Sequence, residues 1–527
     1  MSEKLEQQLW ASADILRGKM DASEYKNYLL GLVFYKYLSD KQLRDVYRIE
    51  KGNVEDYPER EEMLAVLKEW FEEEPENMKQ SVRQELKYFI EPNDLFYELR
   101  KDEHNFRIKK LEDAFTNLSK QGDQFDGLFD DIDLSSNKLG SNDQQRNITL
   151  LEVIKALDEI DLFGYKGDVI GDAYEYLIAQ FAAGAGKKAG EFYTPQSVSK
   201  IISQIVALGQ KNLMPFNIYD PAMGSASLML NIADCVDKAN HVYYHGQELN
   251  TTTYNLARMN LILHDVEKLH MRLSNGDTLD EDWPTETPNQ FDAVVMNPPY
   301  SANWSATDKF LSDARFERFG RLAPKSKADF AFLLHGYFHL KESGTMGIVL
   351  PHGVLFRGAA EGVIRKTLLE SGAIYAVIGL PANIFYGTSI PTTILVLKKN
   401  RSNRDVLFID ASSGFEKQKN QNFLRDEDIE KIVDTYVKRE NIEKYAYLAS
   451  FDEIVENEYN LNIPRYVDTF EEEEPIDIVA LGKEMVELNA EIKKVEEEFL
   501  AMLDELAVTE DTKAIIEATK EVFLSAK

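Results

Sequence analysis

The chain has 527 residues, 44% of them hydrophobic, enough for more than one domain and a sizeable core. Its 91 acidic against 60 basic residues leave a formal charge of −31, so nucleic acid is repelled unless basic groups gather on one face or a partner supplies the positive groove. The single cysteine, Cys235, excludes an internal disulfide and a Cys-x-x-Cys zinc pair; no run approaches the roughly 18 apolar residues of a membrane span and no stretch resembles a signal peptide, which predicts a cytoplasmic protein with no membrane contact.

Residues 1–147 are rich in charge and helix formers. In "SEYKNYLLGLVFYKYLSD" the residues Tyr28, Leu29, Leu32, Val33 and Tyr35 fall near one side of a helical wheel, which predicts a helix packed on others and, for the segment, a helical domain. The polar "DLSSNKLGSNDQQRN" reads as its closing linker.

Residues 148–400 change to strands alternating with helices, the pattern of an α/β sheet flanked by helices. "FNIYD", "HVYYHGQE", "MRLSNGD", "FDAVVMN", "GTMGIVLP", "IYAVIGLP" and "TTILVLKK" are the expected strands. Several end on a polar residue, and in open α/β sheets ligands collect at the carboxyl ends of strands. Residues 401–527 form a C-terminal region. Within it, about 476–507, apolar residues from Ile478, Leu481, Met485 and Leu488 to Phe499, Met502 and Leu506 alternate spacings of three and four, a heptad seam on which a second helix should pack. The alternative is an ordinary amphipathic helix lying on its own domain. Residues 471–527 hold 17 acidic and 6 basic residues, which favours a protein contact there over a DNA contact.

The chemistry concentrates at four strand ends. "NIYDPAMGSASLML" reads as strand, tight turn and helix, with Asp220 closing the strand, Gly224 permitting close backbone approach and Ser225 where a helix begins. The next strand ends in Glu248, 24 residues after Gly224, close to the spacing at which an acidic residue meets ribose hydroxyls. The third ends at Asp277, a carboxylate able to accept from an adenine amino group. Together they describe a nucleoside pocket without a phosphate cradle. "AAGAGKKAG" is no Walker loop, because Phe181 stands where its first Gly belongs and Lys188 follows Lys187 where Ser or Thr is required. A phosphate-free nucleoside cofactor on such a sheet points to S-adenosylmethionine.

The fourth strand stops at Asn297, Pro298, Pro299 and Tyr300. An aryl amine is a poor nucleophile because its lone pair is delocalised into the ring. The Asn297 side-chain oxygen and the Pro298 carbonyl could each accept one N–H of such an amine, favouring a pyramidal nitrogen, while the prolines restrict the loop. Tyr300 offers a stacking face worth roughly 1–3 kcal/mol per base.

"GEFYTP" (190–195), "DPAMGSASL", "NGDTL", "NPPYS", "DFAFLLHGYFHL", "GIVLPHGVLF" and, before the C-terminal helix, "EYNLNIPRYVD" occur in the order seen in one family. The sequence resembles the modification (HsdM-type) subunit of type I restriction-modification systems, an adenine-N6 DNA methyltransferase, over nearly its whole length. The resemblance implies a Rossmann-like S-adenosylmethionine-dependent core with a helical domain before it and a helical tail after it. It implies cofactor contacts from Glu191, Phe192, Tyr193, Thr194 and Pro195, from Asp220, Ala222, Gly224 and Ser225, from Glu248 to the ribose, and from Asp277 and Thr278 around the adenine. Asn297, Pro298, Pro299 and Tyr300 would hold the target base, with Phe385 as a second aromatic and Tyr386 as its rival. The partners implied are double-stranded DNA, a specificity subunit with two copies of this chain per copy, and a restriction/translocase subunit. The loop departs from the family pattern at Ala226, where a second Gly is often found. The target adenine must leave its stack to be methylated.

Two other functions remain open at this point. A protein glutamine methyltransferase could use the same Asn-Pro-Pro-Tyr geometry, and a non-catalytic acidic scaffold or DNA mimic would fit the charge alone. His335 and His339, four apart on a predicted helix, have metal-ligand spacing but no accompanying Glu or Cys motif, so a packed helix and no metal site is the expectation.

Overall fold

The structure, a computed structural model, describes residues 2–52, 56–101, 106–163, 169–184, 193–237, 241–386, 388–418, 421–469, 477–506 and 508–525. They fall into two compact units, Met1–Asp468 and Thr469–Lys527. Glu191 and Phe192, most of the glycine-lysine run before them and the acidic run 471–474 lie outside the described residues.

The N-terminal part is helical. Its longest helix, Ala22–Lys51, opens on a capping box between Asp21 and Glu24, which satisfies backbone donors that the first turn leaves without partners. The sequence pattern suggests one buried side, yet every residue from Tyr28 to Ser39 is buried. The reason is that helices Arg60–Glu73, Asp143–Asp158, Val169–Gly184 and Thr251–Leu263 pack around it. Polar residues in that run are locally satisfied: Lys36 pairs with Asp40, and the Ser39 hydroxyl accepts the Phe96 N–H at 2.7 Å. Position 147 falls inside helix Asp143–Asp158, and helix Val169–Gly184 shares the same apolar cluster, so the helical part continues past 148.

The nine-stranded sheet uses β1 (Phe216–Asp220), β2 (Val242–Glu248), β3 (Met271–Asn275), β4 (Phe291–Met296), β5 (Leu340–Pro351), β6 (Ile374–Gly379), β7 (Thr392–Lys398), β8 (Val406–Asp410) and β11 (Ala446–Ala449). A two-residue pair, β9 (Glu416–Lys417) and β10 (Asn422–Phe423), stands apart. The order is β11-β8-β6-β7-β5-β4-β1-β2-β3. β5-β4-β1-β2-β3 are mutually parallel, and β7 runs antiparallel between β5 and β6. All seven strands expected from the sequence are present. β8 and β11 lie beyond residue 400 and still extend this sheet.

β1 and β4 are buried at every position, as central strands covered on both faces must be. Alternation sorts their side chains into two cores: Tyr219, Val294 and Met296 on one face, Ile218, Ala293 and Val295 on the other. The chain order reverses between β1 and β4, which pair directly through Ile218↔Ala293 and Tyr219↔Val294. That switch point opens a crevice above their carboxyl ends.

The second unit consists of helix Ile478–Glu505, capped by the Asp477 carboxylate accepting from Val479 and Ala480, and helix Glu510–Ser525. The two touch through Phe499 and Phe523, ring centroids 5.2 Å apart. The heptad seam is exposed, Phe499 included, with Leu481, Met485, Leu488 and Val495. No helix among the described residues is long and apolar enough to cross a membrane.

Candidate active site

The crevice is lined by Tyr193, Thr194, Asp220, Ala222, Gly224, Ser225, Ser227 and Asn297, among others. Residues from three separated motifs therefore share one wall. Asn297 Nδ2 donates to Thr194 Oγ1 at 3.1 Å, and Tyr300 Oη donates to Asn297 Oδ1 at 2.8 Å. Pro195 begins helix Gln196–Ala207, its carbonyl accepting from Val198 and Ser199. Tyr193 is buried against the helical part.

Asp220 ends β1 buried, with Oδ1 accepting the Ala222 N–H at 2.9 Å. Burial pushes its carboxyl well above the ordinary range, and the neighbouring Glu248 pushes it further against the Ala222 hydrogen bond. Glu248 is also raised by burial, opposed by backbone N–H groups. One of its oxygens accepts from Gly224 N at 3.1 Å and the other from Asn250 N at 2.9 Å. Asp277 Oδ1 accepts from Leu279 N at 2.9 Å; among the described residues no donor reaches its Oδ2. Half-buried Glu248 and Asp277 are acceptors of the kind that ribose hydroxyls and an adenine amino group require, and buried Asp220 beside the Gly224 loop is a carboxyl whose ionised form a cationic ligand favours. The residues present fit S-adenosylmethionine on that ground.

Thr278 is less exposed to ligand than expected. Its hydroxyl is 3.1 Å from Gln247 Oε1 and also donates to the Pro221 carbonyl, so it braces the β1 loop. Ser225 lies two residues before helix Ser227–Ala233, and Ala226 takes the left-handed conformation, φ 67°. That is the backbone a Gly adopts without a Cβ penalty, so it accounts for the Gly often found at this position, and Ala226 carries the strain instead.

On the β4 side, Ser301 N donates to Asp329 Oδ1 at 2.8 Å, and Arg357 holds the other Asp329 oxygen at 3.2 Å, fixing the loop after Tyr300. Phe385 packs edge-on against Tyr300, centroids 6.1 Å apart at 82°. Tyr386 instead faces Tyr193 at 6.4 Å. Of the two rivals, Phe385 is the one beside Asn-Pro-Pro-Tyr.

His335 and His339 lie with Asp282 close enough to share an ion, but their nitrogens are engaged. Arg315 can only donate, so His335 Nδ1 accepts from it at 3.1 Å and Nε2–H donates to Tyr219 Oη at 2.8 Å, leaving that hydroxyl to donate to the Trp283 carbonyl at 2.6 Å. Burial, then His339 and Arg315, hold the His335 pKa well below normal. His339 bonds Asn289 O at 2.6 Å and Asp282 at 3.0 Å.

Residues 165–475 match the N-6 DNA Methylase family and residues 5–157 the HsdM N-terminal domain. The chain belongs to the N-6 DNA methylases. Within them it is similar to the methylase subunit of the type I restriction enzyme MpnII of Mycoplasma pneumoniae, at 37% identity over 92% of this chain and 93% of that one. The MjaVII methylase subunit of Methanocaldococcus jannaschii is 31% identical over 92% and 80%. A crystal structure of the type I restriction-modification methyltransferase subunit of Streptococcus thermophilus superposes with a TM-score of 0.85 at 55% identity, covering 89% of this chain and 100% of that one. This N-6 DNA methylase is thus a type I modification subunit, an adenine-specific DNA methyltransferase, and the glutamine-methyltransferase and acidic-scaffold alternatives fall. The buried ties among Glu175, Gln196, Ser227 and Asn260 behind the crevice have no counterpart in the sequence reading. They come from four helices and carry no shared motif.

Proposed function

We propose that this crevice binds S-adenosylmethionine with its methionine end against Tyr193–Pro195 and the Gly224 loop, its ribose at Glu248 and its adenine at Asp277. When bound, the cofactor supplies an electrophilic methyl group. A flipped target adenine would lie against Tyr300 and Phe385, its N6 amine donating one N–H to Asn297 Oδ1 and one to the Pro298 carbonyl. Its lone pair is then freed from ring conjugation and directed across the switch point.

The observation that carries this reading is the Asn297–Thr194 bond, which joins the candidate methyl-acceptor loop to the candidate methionine-binding segment across 103 residues of sequence. In the structure Tyr300 already donates to Asn297 Oδ1; an amide oxygen has two lone pairs, so a substrate N–H can be accepted beside it. The substrate is double-stranded DNA. A specificity subunit would choose the site and supply positive charge to offset the −31 of this chain, bound by two copies of this chain, with a restriction/translocase subunit joining them in the cytoplasm. The exposed heptad helix is the candidate dock for the specificity subunit.

A radiolabelled methyl-transfer assay on duplex DNA, with the chain alone and with its specificity partner, tests this. Label in N6-methyladenine only when both are present is expected. Label on protein, or equal label without the partner, overturns it.

A further inference from the structure

Behind the crevice lies a carboxylate that touches both walls of the candidate methionine site without lining it. Glu175, buried on helix Val169–Gly184, accepts from the Gln196 side-chain amide and from Asn260 Nδ2 at 3.3 Å, and the neighbouring Ser227 hydroxyl favours its ionised form. Gln196 follows Thr194 and Pro195; Ser227 closes the Gly224 loop. The second Asn260 amide hydrogen goes to the Ser225 carbonyl at 3.0 Å, and the Ser225 and Ser227 hydroxyl oxygens are 2.9 Å apart.

Burial raises the Glu175 carboxyl, opposed by His264, Ser227 and Asn260; in its ionised form it only accepts. The direction of the adjoining hydroxyls follows. With the Ser227 proton directed at ionised Glu175, the Ser227 oxygen takes the proton of Ser225. Ser225 Oγ is left with lone pairs and no proton for the crevice, into which Ser225 faces beside Asp220 and Asn297. An oxygen so oriented suits an ammonium donor and repels an acceptor.

We propose that Glu175 is a positioning residue that orients the Ser227–Ser225 hydroxyl chain and holds Gln196 and the Gly224 loop together, so that the site selects the α-ammonium end of the cofactor. The inference rests on reading this crevice as the S-adenosylmethionine site. Because Glu175 belongs to the N-terminal helical part, it also makes that part a component of cofactor recognition.

The test is calorimetric titration of the full-length chain with two probes, S-adenosylhomocysteine and 5′-methylthioadenosine, which lacks the amino-acid end. Glu175→Gln puts an amide where a pure acceptor stood. It is expected to weaken S-adenosylhomocysteine by at least about tenfold, the loss of one charge-assisted bond, and to leave 5′-methylthioadenosine within about twofold. In the complex with the specificity subunit, KM for S-adenosylmethionine should rise while kcat holds. Ser227→Ala, which deletes one hydroxyl, should give the same selective loss and serves if Glu175→Gln misfolds. Equal weakening of both probes marks a merely structural residue and overturns the proposal, as does no change in either. Wild-type chain binding neither probe overturns the cofactor reading, and the proposal with it.

Discussion

Asn297→Ala separates chemistry from cofactor binding. The side chain makes two bonds, 2.8 Å from Tyr300 and 3.1 Å to Thr194, each worth about 0.5–1.5 kcal/mol net. Asn297 is only half-buried, so a stability loss of about 1–2 kcal/mol is expected. In the reaction the lost amide oxygen is one of two acceptors aimed at the amine, and removing one preorganised partner of this kind costs about 10²–10³ in rate. Cofactor binding feels the change only through Thr194, about 1 kcal/mol or fivefold. The assay is single-turnover methyl transfer at saturating S-adenosylmethionine, in the complex with the specificity subunit, beside titration of S-adenosylhomocysteine. A rate down at least about a hundredfold with affinity down no more than about fivefold is expected. Equal losses in the two measurements would place Asn297 among the cofactor ligands and refute the assignment.

Tyr300→Phe keeps the ring and removes only the bond to Asn297, so kcat should fall about fivefold, whereas Tyr300→Ala should also abolish the fluorescence rise of a 2-aminopurine placed at the target position. Phe385→Ala should share that second defect and Tyr386→Ala should not; the reverse pattern would exchange their roles. Asp220 and Glu248 are both raised by burial, Asp220 further by Glu248, so the cofactor-free fold holds their protons more tightly than the unfolded chain and loses stability as pH rises from the ordinary carboxylate range through the raised values. A cationic cofactor favours their ionised form, so the gain in Tm on adding S-adenosylmethionine should grow with pH across that window; a gain that is flat or shrinks would refute the pairing. Truncation after Asp468 removes a separate unit with an exposed apolar seam and should leave Tm unchanged while abolishing co-elution with the specificity subunit; a truncated chain that still co-elutes moves the dock elsewhere.

Most of the seven expected strands were legible as short apolar runs, several closed by a polar residue, and for β1 and β4 this is the pattern that burial on both faces imposes. β8 was not, because "NRSNRD" before it has the composition of a linker. In the structure Arg401 Nη1 donates to the carbonyls of Gly372 at 3.0 Å and Ile374 at 2.7 Å, and Nη2 to Asp405 at 2.6 Å, which ties the polar turn to the sheet. Composition reports polarity and is silent on where a guanidinium points. Helix Ala22–Lys51 shows the same limit from the other direction: periodicity marks the face that must be buried, and neighbours from distant sequence bury the rest. In the site, Asp220, Glu248, Asp277 and Asn297 were readable because strand ends are fixed by topology. Glu175 and Asn260 were not, because each is one of several polar residues on its helix and belongs to no motif, the two lying 85 residues apart in sequence.

The bond between Tyr300 and Asn297 bears on why this loop carries a tyrosine. A phenylalanine would stack on a purine equally well, so the hydroxyl must act elsewhere, and its partner is the amide oxygen proposed for the amine. Burial raises the Tyr300 pKa, with the nearby Asp329 adding to it, which keeps the phenol protonated and therefore a donor. Asn297 Nδ2 is held at the same time by Thr194, so both ends of the amide are tethered, with Oδ1 on the Tyr300 side and Nδ2 on the Thr194 side. A flipped amide would offer two N–H groups to an amine that can only donate them, and the nitrogen would be repelled instead of aligned. The tyrosine and threonine hydroxyls together thus tether the Asn297 amide at both ends, a constraint on its position that stacking alone cannot supply.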